Sequence, residues 1–500
     1  MILSIDIGSS SVRTLLYGAG GRFVEGSLAA RQYRFQVLPG GRVEADPERL
    51  CGMVEDCIDQ TLRWLAEGRA VDRARGAGQG AGADDRIEAV AMATFWHSLV
   101  GVGRDGRPLT PVLTWADTRA DAEVARMAGL VDAEAVRQRT GCALHPSYSP
   151  AKLSWLRRNT PDVYRATSWW ATVGELCLAR FLGTRVCSLS LASGTGLFDR
   201  TSMGWDTELL DVLGIEESQL SPLVDLGAPV GGLRDPWARR WPSLRDVPWL
   251  PALGDGACNS VGCGCGDAGR AAVMIGTTGA LRVLQPVAPV SVPRGLWCYL
   301  LDRARLFLGG VLGDGGNLFE WMRDTLAIDL APDALDVALL AARPAGHGLT
   351  VLPFLTGERS TGWSAARGAV LGMRVETRSI DILQAALEAV VYRFAAIRDR
   401  LEQSLPPVTG LVATGGALVR SRAWCQMLAD VFDLPVIRAL EPEATSRGAA
   451  LLAGEALGLP VEEPRRAPEG QTFLPRPEAT AAHQEARQEH ERIYRLICGS

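Results

Sequence analysis

A chain of 500 residues exceeds the roughly 250–300 that one hydrophobic core fills, so two domains are expected. Apolar residues make up 47% and charged residues 22%, and the formal net charge is -5, a balance that argues against nucleic acid or an anionic membrane as partner. No apolar run approaches the roughly 18–20 residues that cross a bilayer, and the chain opens on a strand-like run rather than a basic leader, so a cytoplasmic protein is expected.

ILSIDIGSSSVRTLLYG (2–18) reads as a strand, a tight polar turn and a second strand. PERLCGMVEDCIDQTLRWLAEG (47–68) has helical periodicity, and the Gly-, Ala-, Arg- and Asp-rich stretch 69–86 reads as a solvated loop. IEAVAMATF (87–95) is a strand. FWHSLVGVGRDGRPLTPVLTWADTRA (95–120) reads as a strand end and a hairpin with Asp-Gly at its turn. PVGGLRDPWARRWPSLRDVPWLP (229–251) suggests irregular structure near a domain boundary. AAVMIGTT (271–278), LTVLPFL (349–355) and GLVATGG (410–416) are strands; 380–403 and 421–432 are helices. After about Gly458 a Pro-, Glu- and Arg-rich tail leads to a last helix, 477–497. The alternation argues for an α/β fold.

Two loops resemble each other, IDIGSSSVRTLL (5–16) and MIGTTGALRVL (274–284). Phosphate binding requires close N–H donors, small hydroxyls and little bulk, which Gly8, Ser9 and Ser10 offer, as do Gly276, Thr277 and Thr278. A polar hairpin is the competing reading of the first loop. Neither GxxxxGK[ST] nor a helix-opening GxGxxG is present, which argues against a P-loop and a dinucleotide fold. Asp6, just before the first turn, suits Mg²⁺ directly or through water, and Arg13 either offsets phosphate charge or lies solvated on the surface. Asp255, between two glycines, is either a turn or cap residue or a general base for phosphoryl transfer to an alcohol. Trp96, His97, Trp115, Asp117 and Arg119 fall near strand ends, where aromatic faces and charged groups suit a polyhydroxylated ligand. The 11 cysteines are expected to be reduced, and Cys258, Cys263 and Cys265 lack zinc-like spacing.

In this order these features resemble the FGGY family of carbohydrate kinases. SYSPAKLSWLRRN (147–159) fits the family's first signature, with Lys152, Trp155 and Asn159, and GAVLGMRVETRSIDILQAALE (368–388) fits its second, with Gly372, Asp381, Ala385 and Glu388. The resemblance runs from Met1 to about Gly458. It implies two RNase H-like domains of the actin- and hexokinase-like ATPase type, 1–248 for sugar and phosphate and 249–500 for nucleotide, with ATP and Mg²⁺ in the cleft between them. It implies that Asp255 is the catalytic base and that Asp6 associates with the metal, Asp255 completing its surroundings. It further implies that Gly8, Ser9, Ser10, Arg13, Gly276, Thr277 and Thr278 hold phosphates. Gly316, Asn317, Gly415, Gly416 and Ala417 would then contact the nucleoside. FWHSLVGV and TWADTRA, with GCALHPSYSPAK, look like the gluconokinase branch, implying gluconate as acceptor and Trp96, His97, Asp117 and Arg119 as its contacts. Arg119 either meets the acceptor's carboxylate or pairs with Asp117. Trp96 stands where that branch usually has Met, and Ser360-Thr361-Gly362 and Ser364 depart from the family pattern, so xylulose or another pentulose or polyol is the alternative acceptor. An actin-like ATPase or sugar sensor without kinase turnover is the alternative class. A homodimer is compatible with the sequence, and no feature decides it.

Overall fold

Ile2–Ile7 is buried along its whole length, as a continuous apolar run between packed layers requires. It pairs in parallel with Ala89–Thr94 and antiparallel with Ser11–Tyr17. Leu253–Gly254 extends the sheet beyond Ala89–Thr94, and Ala29–Gln32 beyond Ser11–Tyr17. The same motif recurs further along. Arg270–Ile275 pairs antiparallel with Gly279–Pro286 and in parallel with Gly410–Thr414, which is followed by Val436–Ala439 and Gly470–Phe473. The turns Gly8–Ser10 and Gly276–Thr278 therefore sit at the same topological point of two sheets.

This computed structural model describes residues 1–74, 86–266, 269–360, 366–441, 443–460 and 470–498. The chain forms two units from interleaved segments. One is Met1–Gly262 with Cys298–Leu306 and Glu443–Pro464; the other is Cys263–Trp297, Phe307–Pro442 and Arg465–Ser500. The expected α/β class is what forms, and among the described residues no helix is long and apolar enough to cross a membrane.

Two local expectations need correction. The first helix runs Pro47–Ala74, passing through Gly68, so 69–74 continue it on Arg, Ala, Val and Asp with no proline to stop it; the rest of the expected loop, 75–85, lies outside the described residues. The expected hairpin across 95–120 forms, with the antiparallel bridges Leu99–Leu113 and Val102–Pro108 and backbone bonds from Leu109 N to Gly101 O and from Gly103 N to Arg107 O, but not as a continuous two-stranded ladder. Val100–Val102 also pairs with Trp169–Ala171, and Val112–Leu113 with Glu44 and Ala45. Pro108 and Pro111 lack the N–H donors that a continuous ladder needs. The Asp-Gly turn itself is present, with Gly106 at φ 78°. Residues 229–251 hold only the short helix Trp237–Arg240 and a 3-10 turn at Pro242–Leu244, as the irregular reading expects.

In the first unit, helix Asp255–Gly262 crosses helix Ala444–Ala456 at very short range. A Cβ at Gly262 would lie 1.8 Å from the Ala444 carbonyl oxygen, and one at Gly448 would lie 1.7 Å from that of Cys258. Backbone meets backbone here, so only glycine fits. In the second unit, the last helix, Pro477–Cys498, is held to the long helix Ser379–Leu401 through buried Glu358, which accepts from Arg393 Nη2 and Tyr494 Oη, both at 2.5 Å.

Gly448→Ala is expected to lower stability by about 2 kcal/mol or more, because a backbone carbonyl cannot step aside as a side chain can. A thermal melt unchanged from the parent protein would show that the two helices part at no cost.

Candidate active site

The first unit gathers the two carboxylates. Asp255 is the first residue of the helix that follows Leu253–Gly254; it is partly buried, and its Oδ1 accepts from the Gly256 N–H at 2.7 Å. Asp6 is buried, and its Oδ1 meets no hydrogen-bond partner among the described residues. Burial pushes the Asp6 carboxyl up from an ordinary 3.8 to about 7; the charges of Asp255 and Glu443 push the same way and Arg13 opposes them. An orphaned carboxylate oxygen beside a second carboxylate fits Mg²⁺, which binds through one or two carboxylates and keeps several waters. Arg13 donates to Glu443 Oε2 at 2.7 Å and to Ser11 Oγ at 3.0 Å, so its charge is shared with a carboxylate that the sequence did not single out.

The Gly8–Ser10 turn is held from several sides. Gly8 N donates to Ser11 O, and Tyr33 donates its N–H to Ser10 O, both at 2.9 Å, and its hydroxyl to Gly8 O. Trp115 Nε1 donates to Ser9 Oγ at 3.0 Å. An indole N–H only donates, so the Ser9 hydroxyl retains its own proton for another acceptor.

Beside Asp255 lies an aromatic cluster. The Trp96 indole donates to Ser190 O at 3.0 Å and lies over two glycines; a Cβ would fall 1.9 Å from the ring at Gly254 and 2.6 Å at Gly194. His97 adopts φ 63°, which few non-glycine residues do, and its Nδ1 lies 2.6 Å from Gly194 O. A carbonyl only accepts, so Nδ1 carries the proton and in the neutral ring Nε2 is the acceptor. Tyr148 and Tyr299 present edges to the His97 ring at 4.9 and 5.7 Å and share a 2.6 Å hydrogen bond through their hydroxyls. Tyr299 carries no motif and comes from the Cys298–Leu306 segment.

Asp117 and Arg119 form a brace rather than an open pair. Fully buried Asp117 accepts from Val43 N at 2.9 Å and from Arg119 Nε at 2.9 Å. Arg119 also donates to Glu44 Oε1 at 2.5 Å and lies over Trp155, 5.1 Å from the ring centre. Of the two readings of Arg119, pairing with Asp117 is the one whose contacts are present. The signature residues Lys152 and Glu388 are likewise buried, Lys152 donating to His97 O and Glu388 receiving His347 and Gln384.

The second unit holds a cavity of about 410 Å³ lined by Gly276, Thr277, Gly316, Asn317 and Ala417 on one side and by Trp424 on another. Gly276 N donates to Thr278 O at 2.9 Å, and Gly316 N returns to Gly276 O at 2.8 Å. Gly415 takes φ 85°, where a Cβ would lie 2.5 Å from Ile275 O, and Gly416 opens the next short helix. Leu335, Leu339 and Leu387 give the cavity an apolar wall suited to a nucleobase, and helix Pro332–Ala341, which supplies two of them, has no motif that would mark it. The Asn317 side chain is engaged within its own loop, with Gly315 N at 2.8 Å and Asp314 at 2.7 Å. Ser360 is buried and receives Val311 N, while Thr361, Gly362 and Ser364 lie outside the described residues. Cys258, Cys263 and Cys265 are buried, and among the described residues no group of three or more His, Cys, Asp and Glu is placed to hold a metal.

Comparison with known proteins adds family and relatives. Residues 1–262 match the model for the N-terminal domain of the FGGY family of carbohydrate kinases, and residues 271–457 match that for its C-terminal domain. A gluconokinase of Bacillus subtilis is 27% identical over 469 residues, covering 91% of this chain and 88% of that protein. Among solved structures, a gluconate kinase and a ligand-bound xylulose kinase, both from Lactobacillus acidophilus, each superpose with a TM-score of 0.90 at 25% identity, over 100% of this chain and 98% of theirs.

The Asp6 environment generates a pH-dependent stability. Its folded carboxyl titrates near 7 and its unfolded one near 3.8, so its contribution is fully present below about pH 4 and is lost as the pH rises through 7. Without added metal, Asp6→Asn should therefore gain stability relative to the parent between pH 4.5 and 8, by roughly a few kcal/mol. Parallel melting curves of the two proteins across that range would remove the Asp6 assignment.

Proposed function

Because the chain belongs to the FGGY family of carbohydrate kinases, with that family's two-domain actin- and hexokinase-like ATPase fold, we propose that it transfers the γ-phosphoryl group of ATP to a hydroxyl of gluconate, giving 6-phosphogluconate. The observation that carries the transfer reading is Asp255, partly buried at a helix start, coupled by charge to the buried and unsatisfied Asp6 and next in chain to Gly254, which packs against the Trp96 ring.

The roles follow from the chemistry. Asp255 receives the proton of the attacking hydroxyl as its oxygen closes on phosphorus, in line with the departing β-phosphate oxygen. Asp6 and Asp255 would hold Mg²⁺, which supplies charge neutralisation at the β- and γ-phosphates. The Gly8–Ser10 and Gly276–Thr278 turns offer backbone N–H groups and hydroxyls to phosphate oxygens, the positioning and electrostatic aid that this reaction mainly needs. Gly316, Asn317, Gly416 and Ala417 line the cavity that takes the nucleoside, with Gly415 just before the last two. His97 Nε2 accepts from an acceptor hydroxyl, and Trp96 forms a flat wall for the carbon chain.

Gluconate is favoured by FWHSLVGV and TWADTRA and by the relatives named for it. Xylulose is the second reading. The engagement of Arg119 by Asp117 and Glu44 favours it, since that guanidinium is then not offered to a carboxylate. Assay of ADP formation with gluconate, xylulose, ribulose and glycerol decides between them: gluconate is expected to give the highest kcat/KM, and ATP consumption indifferent to every acceptor would sink the kinase reading. Asp255→Asn is expected to lower kcat by ~10³-fold or more while ATP binding persists. Turnover within tenfold of the parent would take the base role from Asp255.

A further inference from the structure

Lys152 is the one lysine of the 147–159 signature, on the first turn of helix Ser149–Asn159, and it is completely buried. Its Nζ donates to the backbone carbonyl of His97 at 2.6 Å. A buried ammonium is a costly way to make a hydrogen bond that a neutral donor would make as well, so its presence under this one peptide needs a reason. Burial lowers the amine to about 7, the Asp117 charge raises it, and Arg119 lowers it further.

The reason lies in His97. Its backbone sits at φ 63°, a conformation that a residue with a side chain keeps only when its surroundings hold it. Two bonds do so: the ring bonds through Nδ1 to Gly194 O, and the carbonyl receives Lys152. The first fixes the ring's tautomer and rotation, and the second fixes the peptide from which the ring departs. With both present the ring sits between the edges of Tyr148 and Tyr299.

We propose that Lys152 is a positioning residue for the acceptor: by holding the His97 carbonyl it keeps the His97 ring in the orientation that receives a substrate hydroxyl. This rests on the reading of His97 as an acceptor contact. The signature lysine then acts on sugar recognition without touching the sugar, and the brace of Asp117 and Arg119 supplies the charge environment of its amine.

The test is a double-mutant cycle on the full-length protein, read as KM for the acceptor and KM for ATP, with gluconate or whichever of the four tested acceptors is turned over. Lys152→Met is expected to raise acceptor KM by ~10-fold or more and to leave ATP KM within about twofold. In a His97→Ala background the same substitution should change acceptor KM by less than about twofold, because the ring it positions is gone. A merely structural lysine would instead shift both KM values, or act equally in both backgrounds, and either result overturns the proposal. If His97→Ala leaves acceptor KM unchanged, it is the reading of His97 that fails; if His97→Ala raises it and Lys152→Met does not, the failure is that of Lys152 alone. Should Lys152→Met not fold, Lys152→Gln, which retains a donor, is expected to give an intermediate acceptor KM. Failure of both to fold while His97→Ala folds assigns the amine to the core and overturns the proposal.

Discussion

Two carboxylates close enough to repel, one of them buried with an oxygen unmet by any described donor, impose a condition on everything around them. The pair is comfortable only with a proton or a cation between its members. Within the first unit, Asp6 is a strand residue in the middle of the sheet and Asp255 the start of a helix, so neither can turn away. Arg13 supplies positive charge that opposes the repulsion, and it shares that charge with Glu443. A site so arranged suits a cation, whose charge offsets both carboxylates.

Glycine is the second recurring means. Where helix Asp255–Gly262 meets helix Ala444–Ala456, the absence of side chains lets two backbones touch, which sets the position of Asp255. Under Trp96, two glycines make room for an indole that no other residue pair would admit. In the second unit, a Cβ at Gly316 would lie 2.5 Å from Gly276 O and one at Gly415 2.5 Å from Ile275 O, so glycine lets these segments approach beside the cavity that Gly276 and Gly316 line. Each is a close approach that a Cβ would block.

What the sequence made legible was local. The Asp6 strand, its hydroxyl turn and the matching turn at Gly276 could be read because each is a short, self-contained pattern of burial and small residues. Asp255 could be flagged by its flanking glycines. Glu443 and Tyr299 could not, for they reach the first unit from distant segments and carry no pattern of their own. Nor could the partner of Arg119 be chosen from its spacing to Asp117; that needed Glu44, on a strand that pairs with Val112–Leu113, and Trp155 on a helix. The hairpin at 95–120 could be read from its Asp-Gly turn, but the second partners of its strands, Trp169–Ala171 and Glu44–Ala45, could not, since they come from distant segments.

The interleaving of the two units has a consequence for how the molecule is made. A ribosome that has passed residue 262 has delivered most of the first unit but not the Ala444–Ala456 helix against which its Asp255 helix rests. The second unit waits longer still, for the edge strand Gly470–Phe473 and for the helix that brings Tyr494 to Glu358. Neither half is complete until nearly all the chain has emerged, so folding here is not one domain after the other during synthesis. The nascent chain must instead carry a first sheet without its covering helix Ala444–Ala456 and a second sheet without its edge strand until those late segments emerge.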